Sequence, residues 1–265
     1  PGSGADTAMI PSTTKSILIT GAASGIGLAT ARHFHQRGWR VGLLDVNEAA
    51  LAGLARDLDG AWFHPLDVTD AEACARAVSA FAGDGVLDVL FNCAGILRMG
   101  RFEAISAEQH KRIIDINVTG LVNMSLAALP ALRRADAPVV INMSSASALY
   151  GVPHLASYSA SKFAVRGLTE ALNIEWKRLG IRVVDVMPPF VKTPMVEDAD
   201  YQAPVVSRLG VKLKAEDIAA KVWDAAAREV PVHNPVGSVF KMIKLLDKLL
   251  PSASTRLTMT FLSRE

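Results

Sequence analysis

Residues 16–27 read Ser16-Ile17-Leu18-Ile19-Thr20-Gly21-Ala22-Ala23-Ser24-Gly25-Ile26-Gly27, an apolar, β-rich segment followed at once by a loop of small residues. A helical pattern then runs from Leu28 to Arg37, and Gly38 ends it. Glycines at such a junction permit a tight turn and let backbone N–H groups approach a pyrophosphate at the helix N-terminus. The Gly-x3-Gly-x-Gly spacing therefore predicts a dinucleotide site; the alternative is a small-residue turn that serves helix–strand packing.

The segments that follow alternate between short apolar runs and helical patterns. This alternation predicts βαβ units and a single α/β domain over residues 15–265, with a parallel sheet covered by helices on both faces. The predicted strands after the first are 39–44, 62–66, 87–91, 138–143 and 181–187. The predicted helices after the first are 47–58, 69–82, 107–132, 157–179 and 215–228.

Asp45 ends the second apolar run, eighteen residues after Gly27. A carboxylate at this place accepts hydrogen bonds from both adenosine-ribose hydroxyls and repels a 2′-phosphate. Neither the glycine loop nor Val46 and Asn47 supply an arginine or lysine for such a phosphate. The pattern favours NAD over NADP, although a carboxylate placed for the dipole of the following helix is the alternative interpretation.

The composition excludes several classes of protein. The 265 residues carry a net charge of +2, which gives no reason to expect a nucleic-acid partner. Cys74, Cys93 and the six histidines show no ligand spacing, so we predict no metal and a reduced, cytoplasmic protein. No apolar run approaches the ~20 residues of a membrane span. Residues 1–14 lack the pattern of a signal peptide and are interpreted as disordered or tag-derived.

A second informative stretch is Tyr158-Ser159-Ala160-Ser161-Lys162. Residues four apart share one face of a helix, so the phenol and the ammonium are expected to be neighbours. At ~4 Å and an effective dielectric of ~20, their attraction is roughly 4 kcal/mol, which would lower the pKa of the tyrosine enough for acid–base work. Taken alone, such a pair is usually an ordinary pair of helix-surface neighbours.

Two further polar residues stand out. Ser145 lies thirteen residues before Tyr158, just after the strand 138–143, where open α/β sheets bind their ligands. Without the tyrosine it would be interpreted as a structural hydroxyl. Asn117 interrupts an apolar stretch of the predicted helix 107–132.

These motifs occur together in one order and spacing, and the chain therefore resembles the short-chain dehydrogenase/reductase family, in its subgroup of single-domain chains. The matching residues are Thr20 to Gly27, Asp67-Val68, Asn92-Cys93-Ala94-Gly95, Asn117, Ser145, Tyr158 and Lys162. The resemblance implies a Rossmann-type, doubly wound domain, a nicotinamide cofactor, and reversible hydride transfer between an alcohol and a carbonyl group.

The resemblance also implies individual roles. Tyr158 would be the general acid and base, Ser145 would hold the substrate oxygen, and Lys162 would lower the pKa of the tyrosine and bind the nicotinamide ribose. Asn117 would hold a water by opening its helix locally; a buried amide satisfied by its neighbours is the alternative. The implied cofactor-binding residues are Gly21, Ser24, Gly25, Ile26, Gly27, Asp45, Asp67, Val68, Asn92, Ala94, Tyr158, Lys162, Val191 and Thr193.

The chain departs from the family pattern at two places near the cofactor. Cys93 replaces the second asparagine of Asn-Asn-Ala-Gly, and a thiol is a weaker hydrogen-bonding group than an amide. Pro188-Pro189 replaces the usual Pro-Gly, which removes backbone freedom and an N–H donor. The segment 190–212, called the lid below, is predicted to cover the substrate; a variable surface loop is the alternative.

The apolar residues of the helix 157–179 exceed one stripe, and the resemblance implies a partner subunit there, as in a homodimer or homotetramer. The family's last strand, with its Thr-Gly and Gly-Gly, is missing, and Val232-His233-Asn234-Pro235 leads instead into an amphipathic helix over 237–250. Lys241, Lys244 and Lys248 share one face of that helix. It would pack on its own domain or a partner, or lie on a membrane surface, and either arrangement favours a bulky apolar substrate.

The sequence therefore predicts an NAD-dependent oxidoreductase that interconverts an alcohol and a ketone or aldehyde. Two alternatives stay open. One is a lipid- or steroid-type dehydrogenase that acts at a membrane surface, and the other is a nucleotide-sensing protein that keeps this fold without turnover.

Overall fold

The computed structural model describes residues 14–83, 85–237 and 260–263. The strands in these residues are β1 (Ser16–Thr20), β2 (Arg40–Asp45), β3 (Trp62–Pro65), β4 (Val89–Asn92), β5 (Val139–Met143), β6 (Arg182–Met187), β7 (Val191–Lys192), β8 (Leu213–Lys214) and β9 (His233–Pro235). Seven of them form a parallel sheet in the order β3-β2-β1-β4-β5-β6-β9, while β7 and β8 pair separately.

Helices connect the strands. They are α1 (Gly25–His35), α2 (Glu48–Asp57), α3 (Ala71–Ala82), α4 (Ala107–Ile114), α5 (Gly120–Leu132), α6 (Ala156–Glu175), α7 (Pro194–Glu197), α8 (Pro204–Leu209) and α9 (Ala215–Ala227). Short 3₁₀ turns occupy Phe102–Ala104, Ala146–Ala148 and Trp176–Leu179, and a π-helical turn, Asp115–Thr119, joins α4 to α5.

The sheet is buried on both faces. In β1, Ile17 and Ile19 belong to one apolar core with Phe34 of α1, whereas Leu18 belongs to a second core with Phe81 of α3. Side chains alternate across a strand, so the continuous apolar run of β1 serves both cores at once. The predicted α/β architecture with helices on both faces is confirmed, and the strand order reverses between β1 and β4, where such sheets form a ligand crevice.

One expectation about elements needs correction. A last strand does exist: β9 pairs in parallel with β6, through Asp185 with His233 and Met187 with Pro235. The Asn234 amide donates to the Asp185 carbonyl (2.9 Å), so side-chain and backbone hydrogen bonds form the edge without the glycines of the family pattern. The predicted helix 107–132 is confirmed, and its middle is the π-helical turn.

By length and composition, Ala107–Leu132 is the one stretch among the described residues that is apolar enough to cross a membrane. Within the fold it packs on the domain instead: a side chain at Gly120 would meet Val68 Cγ2 at 2.4 Å. Four large apolar side chains remain exposed on the α4–α5 and α6 surfaces, namely Ile114, Leu126, Phe163 and Ile174. The predicted partner subunit at this face stays a prediction.

Two predicted segments lie outside the described residues. They are the N-terminal segment 1–14, except residue 14, and the amphipathic helix 237–250, except residue 237.

Candidate active site

A cleft of about 340 Å³ opens at the carboxyl ends of the central strands. The glycine loop lines it on one side, and the ends of β2, β3, β4 and β5 form its floor. The predicted site residues that line it are Gly21, Ser24, Gly25, Ile26, Gly27, Asp45, Asp67, Val68, Ala94, Ser145, Tyr158, Lys162, Val191 and Thr193. The fold thus brings residues that are far apart in sequence to one place.

The glycine loop is so compact that Gly21 and Gly27 leave no room for a side chain. A Cβ on Gly27 would lie 2.0 Å from the Gly21 carbonyl oxygen. Gly21 has a φ of 69°, and a Cβ on it would collide with the Ala94 backbone. The side chain of Ser24 does not cap α1, and the first turn carries no acidic residue. The first backbone N–H groups of α1 are therefore suited to an anionic group such as the pyrophosphate of a dinucleotide.

Both oxygens of Asp45 accept backbone hydrogen bonds, Oδ2 from Ala23 N (3.1 Å) and Oδ1 from Asn47 N (3.0 Å). The carboxylate is thereby fixed beside the glycine loop, while the next side chain, Val46, is 71% exposed. Asp67 Oδ1 is held in the same way by Thr69 N (2.9 Å). These contacts place two oriented carboxylates at the end of the cleft away from Tyr158.

The residues after β4 are held by a hydroxyl. Thr20 Oγ1 accepts hydrogen bonds from the backbone N–H groups of Cys93 and Ala94, both at 3.0 Å. Burial raises the pKa of the Cys93 thiol to about 12, so the thiol is neutral and not a nucleophile at neutral pH. Cys93 lines the cleft as a small side chain.

Asn92 differs from its expected role. Its side chain is buried beside the sheet, where Nδ2 donates to Asn142 Oδ1 (3.0 Å) and Ser125 Oγ (3.2 Å), and it does not line the cleft. Asn142 in turn donates to Thr169 Oγ1 (2.9 Å). The side chain of Asn92 is therefore a structural group, because its position in the strand directs it away from the cleft. Asn142 was missed, although a polar residue inside an apolar strand signals a buried hydrogen-bond network.

Ser145, Tyr158 and Lys162 come together at the other end of the cleft. Ser145 follows β5 and lines the cleft beside Tyr158, which lies in the first turn of α6. The Ser145 hydroxyl oxygen also accepts from Ser147 N (3.2 Å), so its position is fixed. Lys162 Nζ donates to the Met143 carbonyl (2.8 Å) and lies 5.5 Å from the centre of the Tyr158 ring.

The expected low pKa of Tyr158 is wrong for this arrangement. Burial raises the pKa of the phenol to about 12, and the nearby Ser145 hydroxyl only partly opposes this rise. The ammonium of Lys162 is directed to a backbone carbonyl rather than to the phenol oxygen, and burial lowers its pKa to about 8. At neutral pH the phenol is therefore protonated, which is the form that donates to a carbonyl oxygen.

Asn117 sits in the π-helical turn, so the helix is opened at this residue as expected. Its Oδ1 accepts from Ile96 N (2.8 Å), and its Nδ2 donates to Ile96 O (3.0 Å) and to Ser161 Oγ (3.0 Å). These bonds tie the loop after β4 to α6, which matches the alternative of a buried amide satisfied by its neighbours. The water that Asn117 was expected to hold stays a prediction.

Val191 and Thr193 follow β6 and lie across from the glycine loop. Val191 is buried in β7, and Thr193 Oγ1 donates to its carbonyl (3.3 Å). A Cβ on Gly25 would come within 3.2 Å of the Thr193 methyl group, so the two loops face each other closely. Met195 and Val196 of the predicted lid line this end of the cleft, and sequence reasoning missed Leu97 as a further apolar lining residue.

Comparison with known proteins shows the family of this chain. The family model described as short chain dehydrogenase matches residues 15–203. The chain belongs to the short-chain dehydrogenase family. It is therefore an oxidoreductase by family, built to use a nicotinamide cofactor.

Relatives and solved structures agree with this assignment. Oxidoreductase UcpA of Salmonella typhimurium is 36% identical over 197 residues, which are 72% of this chain and 74% of the relative. An alcohol dehydrogenase from the archaeon Thermococcus sibiricus, complexed with 5-hydroxy-NADP, superposes with a TM-score of 0.75 at 26% identity, over 86% of this chain and 97% of that one. A 3-ketoacyl-(acyl-carrier-protein) reductase from Brucella melitensis, complexed with NADH, also gives 0.75, at 29% identity over 84% and 96%.

Proposed function

We propose that this short-chain dehydrogenase is NAD-dependent and interconverts an alcohol and a ketone or aldehyde, with Tyr158 as the general acid and base. The observation that carries the proposal is the convergence of Ser145, Tyr158 and Lys162 in the cleft that the glycine loop also lines. The glycine loop fits the pyrophosphate, and the serine–tyrosine pair lies at the opposite end, where a reacting carbon–oxygen group would be bound.

The side chains divide the chemistry as follows. The nicotinamide, when bound, supplies or accepts the hydride. The Tyr158 phenol gives its proton to the carbonyl oxygen in reduction, and the phenolate takes a proton from the alcohol in oxidation. Ser145, which lines the cleft beside Tyr158, stabilises the same oxygen as its charge changes. Lys162, buried beneath the tyrosine ring, holds the ribose and keeps a positive charge near the developing oxyanion.

The preference for NAD is proposed from Asp45. Its carboxylate is fixed in place by Ala23 N and Asn47 N, so it cannot turn away from a ribose 2′-phosphate without losing both bonds. The carboxylate of Asp45 and a 2′-phosphate are both negative, and like charges repel each other strongly in a partly buried site. The two solved relatives above were complexed with different cofactors, so this residue, rather than the fold, is the support for the choice.

We also propose a homo-oligomer. Leu126 of α5 and Ile174 of α6 are 62% and 76% exposed, and Phe163 adds to the same kind of surface. Exposed apolar side chains on two long helices are typical of a subunit interface. Sedimentation velocity tests this, since a monomer at micromolar concentration would refute it.

The test of the proposed function is a screen of alcohols and ketones with NAD and NADP side by side, followed by absorbance at the reduced-nicotinamide band. Tyr158→Phe should lower kcat about 10²- to 10⁴-fold while leaving NAD binding, measured by calorimetry, intact. Tyr150→Phe is the matched control and should keep wild-type turnover. A Tyr158→Phe variant with near-normal turnover would refute the assignment, and binding of NAD without turnover of any substrate would favour the nucleotide-sensing alternative.

A further inference from the structure

The lid packs on the catalytic tyrosine through an apolar cluster. We call this the lid cluster: Met99, Val152, Leu155, Val196, Ala203, Val205 and Val206. Four of its members belong to the lid, and the others come from the loop after β4 and the loop before α6. Tyr158 packs against the lid cluster with its ring, so any movement of the lid changes the surroundings of the proposed acid–base group.

One pair of side chains joins the lid to the loop before α6. The Tyr201 hydroxyl forms a hydrogen bond with His154 Nδ1 (2.8 Å). The two rings are also stacked, with centroids 5.7 Å apart and planes only 7° from parallel. Tyr201 lies between α7 and α8, and His154 lies four residues before Tyr158.

The backbone of His154 has a conformation that residues other than glycine disfavour. Its φ is 65°, in the left-handed region that favours glycine, and only one other non-glycine residue of the described chain, Asp59, has a positive φ. The His154 carbonyl accepts a hydrogen bond from Gly100 N (3.0 Å), which fixes the turn. A side chain kept in a strained position, next to a proposed active site, points to a role for that side chain.

The end of the cleft that the lid covers is apolar. Its lining there includes Leu97, Phe190, Met195 and Val196 beside Tyr158. The charged residues that line the cleft are Asp45, Asp67, Arg112 and Lys162, and none of them belongs to the lid or to the loop that carries Leu97 and Met99. A substrate bound under the closed lid would therefore leave water for an apolar surface, which favours hydrocarbon-rich substrates.

The far end of the lid has a separate fastening. Arg208 of α8 donates a hydrogen bond to the Phe261 carbonyl and stacks over its ring, while Leu262 packs against the lid cluster. Loss of the His154–Tyr201 contact should therefore release the α7 end of the lid without detaching α8.

We propose that His154 and Tyr201 form a latch that holds the lid closed over Tyr158, and that this closed lid makes the enzyme selective for apolar alcohols and the corresponding carbonyl compounds. His154 and Tyr201 act as positioning residues, since neither lines the cleft. The selectivity rests on the proposed function, whereas the latch itself is a property of the fold. An apolar substrate gains from the closed lid because the lid residues complete its binding surface.

Four variants test the latch. Tyr201→Phe removes only the hydroxyl, and His154→Gly removes the side chain together with the backbone strain. His154→Asn is the conservative rescue, because asparagine tolerates a positive φ and its Oδ1 occupies nearly the place of Nδ1. Tyr150→Phe is the matched control.

The first readout needs no substrate. Hydrogen–deuterium exchange of the lid amides 194–203 should become faster in Tyr201→Phe and His154→Gly, while His154→Asn and the control follow the wild type. The melting temperature of His154→Gly should not fall, since the glycine relieves the strained φ. Unchanged lid exchange in both weakened variants would overturn the latch.

The second readout is KM for a series of 2-alkanols of increasing chain length with NAD. In Tyr201→Phe and His154→Gly, KM for the long alcohols should increase about fivefold, the worth of one lost hydrogen bond, with KM for NAD unchanged. An equal increase for short alcohols, or for NAD, would show a merely structural role and overturn the claim of selectivity. If the wild type oxidises no alcohol at all, the proposed function fails and the selectivity with it, while the exchange experiment still decides the latch.

Discussion

Replacing Lys162 by methionine should stabilise the folded protein while removing its turnover. Lys162 is only 5% exposed, and its ammonium donates to the Met143 carbonyl rather than to a carboxylate. Burial lowers its pKa from 10.5 to about 8, which means that the fold disfavours the charged form. Methionine fills a similar volume without a charge, so the variant removes the free-energy cost of burying the ammonium.

The magnitude follows from the shift in pKa. A difference of about 2.5 pKa units corresponds to about 3 kcal/mol against the folded state at neutral pH. Loss of the hydrogen bond to Met143 O offsets about 1 kcal/mol of the gain. The net increase in the free energy of unfolding should be about 2 kcal/mol, or about 4–8 °C in melting temperature for a domain of this size.

The effect should depend on pH in a defined direction. Below pH 8 the lysine is charged in both the folded and the unfolded chain, and the folded state carries the full penalty. Between pH 8 and 10.5 the folded state releases the proton before the unfolded chain does, so the wild type gains stability as pH rises. The advantage of Lys162→Met should therefore be largest near pH 7 and should shrink towards pH 9.5.

Urea denaturation at pH 7.0, 8.0, 9.0 and 9.5, without added nucleotide, measures this difference. Lys177→Met is the control, because Lys177 is exposed in the 3₁₀ turn after α6 and its replacement should change stability by no more than about 0.5 kcal/mol. Hydride transfer by Lys162→Met should fall at least about 100-fold. A variant that is less stable than the wild type at pH 7, or a difference that does not depend on pH, would refute the reasoning.

Three further perturbations follow from the structure. Asp45→Asn removes the negative charge but keeps an acceptor for the loop, so the ratio of kcat/KM for NAD over NADP should fall about tenfold in steady-state assays. The pKa of His233 is raised, chiefly by its hydrogen bond with Asp185. The stabilisation that His233 provides is therefore complete below pH 6.5 and is lost as pH rises through its folded-state pKa. His233→Gln should abolish this pH dependence of stability in urea titrations from pH 5.5 to 8.5. Gly27→Ala places a Cβ 2.0 Å from a backbone oxygen of the same loop and should lower the unfolding free energy by more than about 2 kcal/mol. The control, Gly53→Ala in α2, has open space around it and should raise the unfolding free energy by about 0.5–1 kcal/mol. Thermal melts of both variants measure the difference.

Local patterns made much of the fold predictable. The glycine loop could be located because Gly21 needs a positive φ and Gly27 leaves no room for a Cβ, and these are requirements of a few neighbouring residues. Asp45 could be placed at the cleft because a strand end in a parallel sheet faces the ligand crevice. The local opening of the helix at Asn117 could be predicted, because a polar residue in an apolar helix needs a structural reason, and the structure has a π-helical turn there.

Properties that depend on distant partners could not be predicted. The strand His233–Pro235 has only three residues, and it exists because it pairs with β6, forty-eight residues earlier at Asp185. The pKa of Tyr158 depends on its burial and on the direction of the Lys162 ammonium, which a backbone carbonyl determines. The orientation of Asn92 away from the cleft likewise depends on which side of the sheet offers its amide a partner.

The relative position of Ser145 and Tyr158 is determined by residues that touch neither the substrate nor the cofactor. Asn142, three residues before Ser145, donates to Thr169 Oγ1 of α6 at 2.9 Å in the buried space between strand and helix. Apolar packing alone is non-directional and would tolerate sliding of α6 along the sheet. Sliding by one residue moves the helix by about 1.5 Å, which would break this bond and leave the buried Asn142 amide nitrogen unpaired at about 1–3 kcal/mol, while Thr169 keeps its bond to the Val165 carbonyl. The position of the Ser145 hydroxyl beside the Tyr158 phenol is therefore maintained by this amide–hydroxyl bond, and the same helix can carry both the acid–base group at its beginning and the fastening to the strand further along.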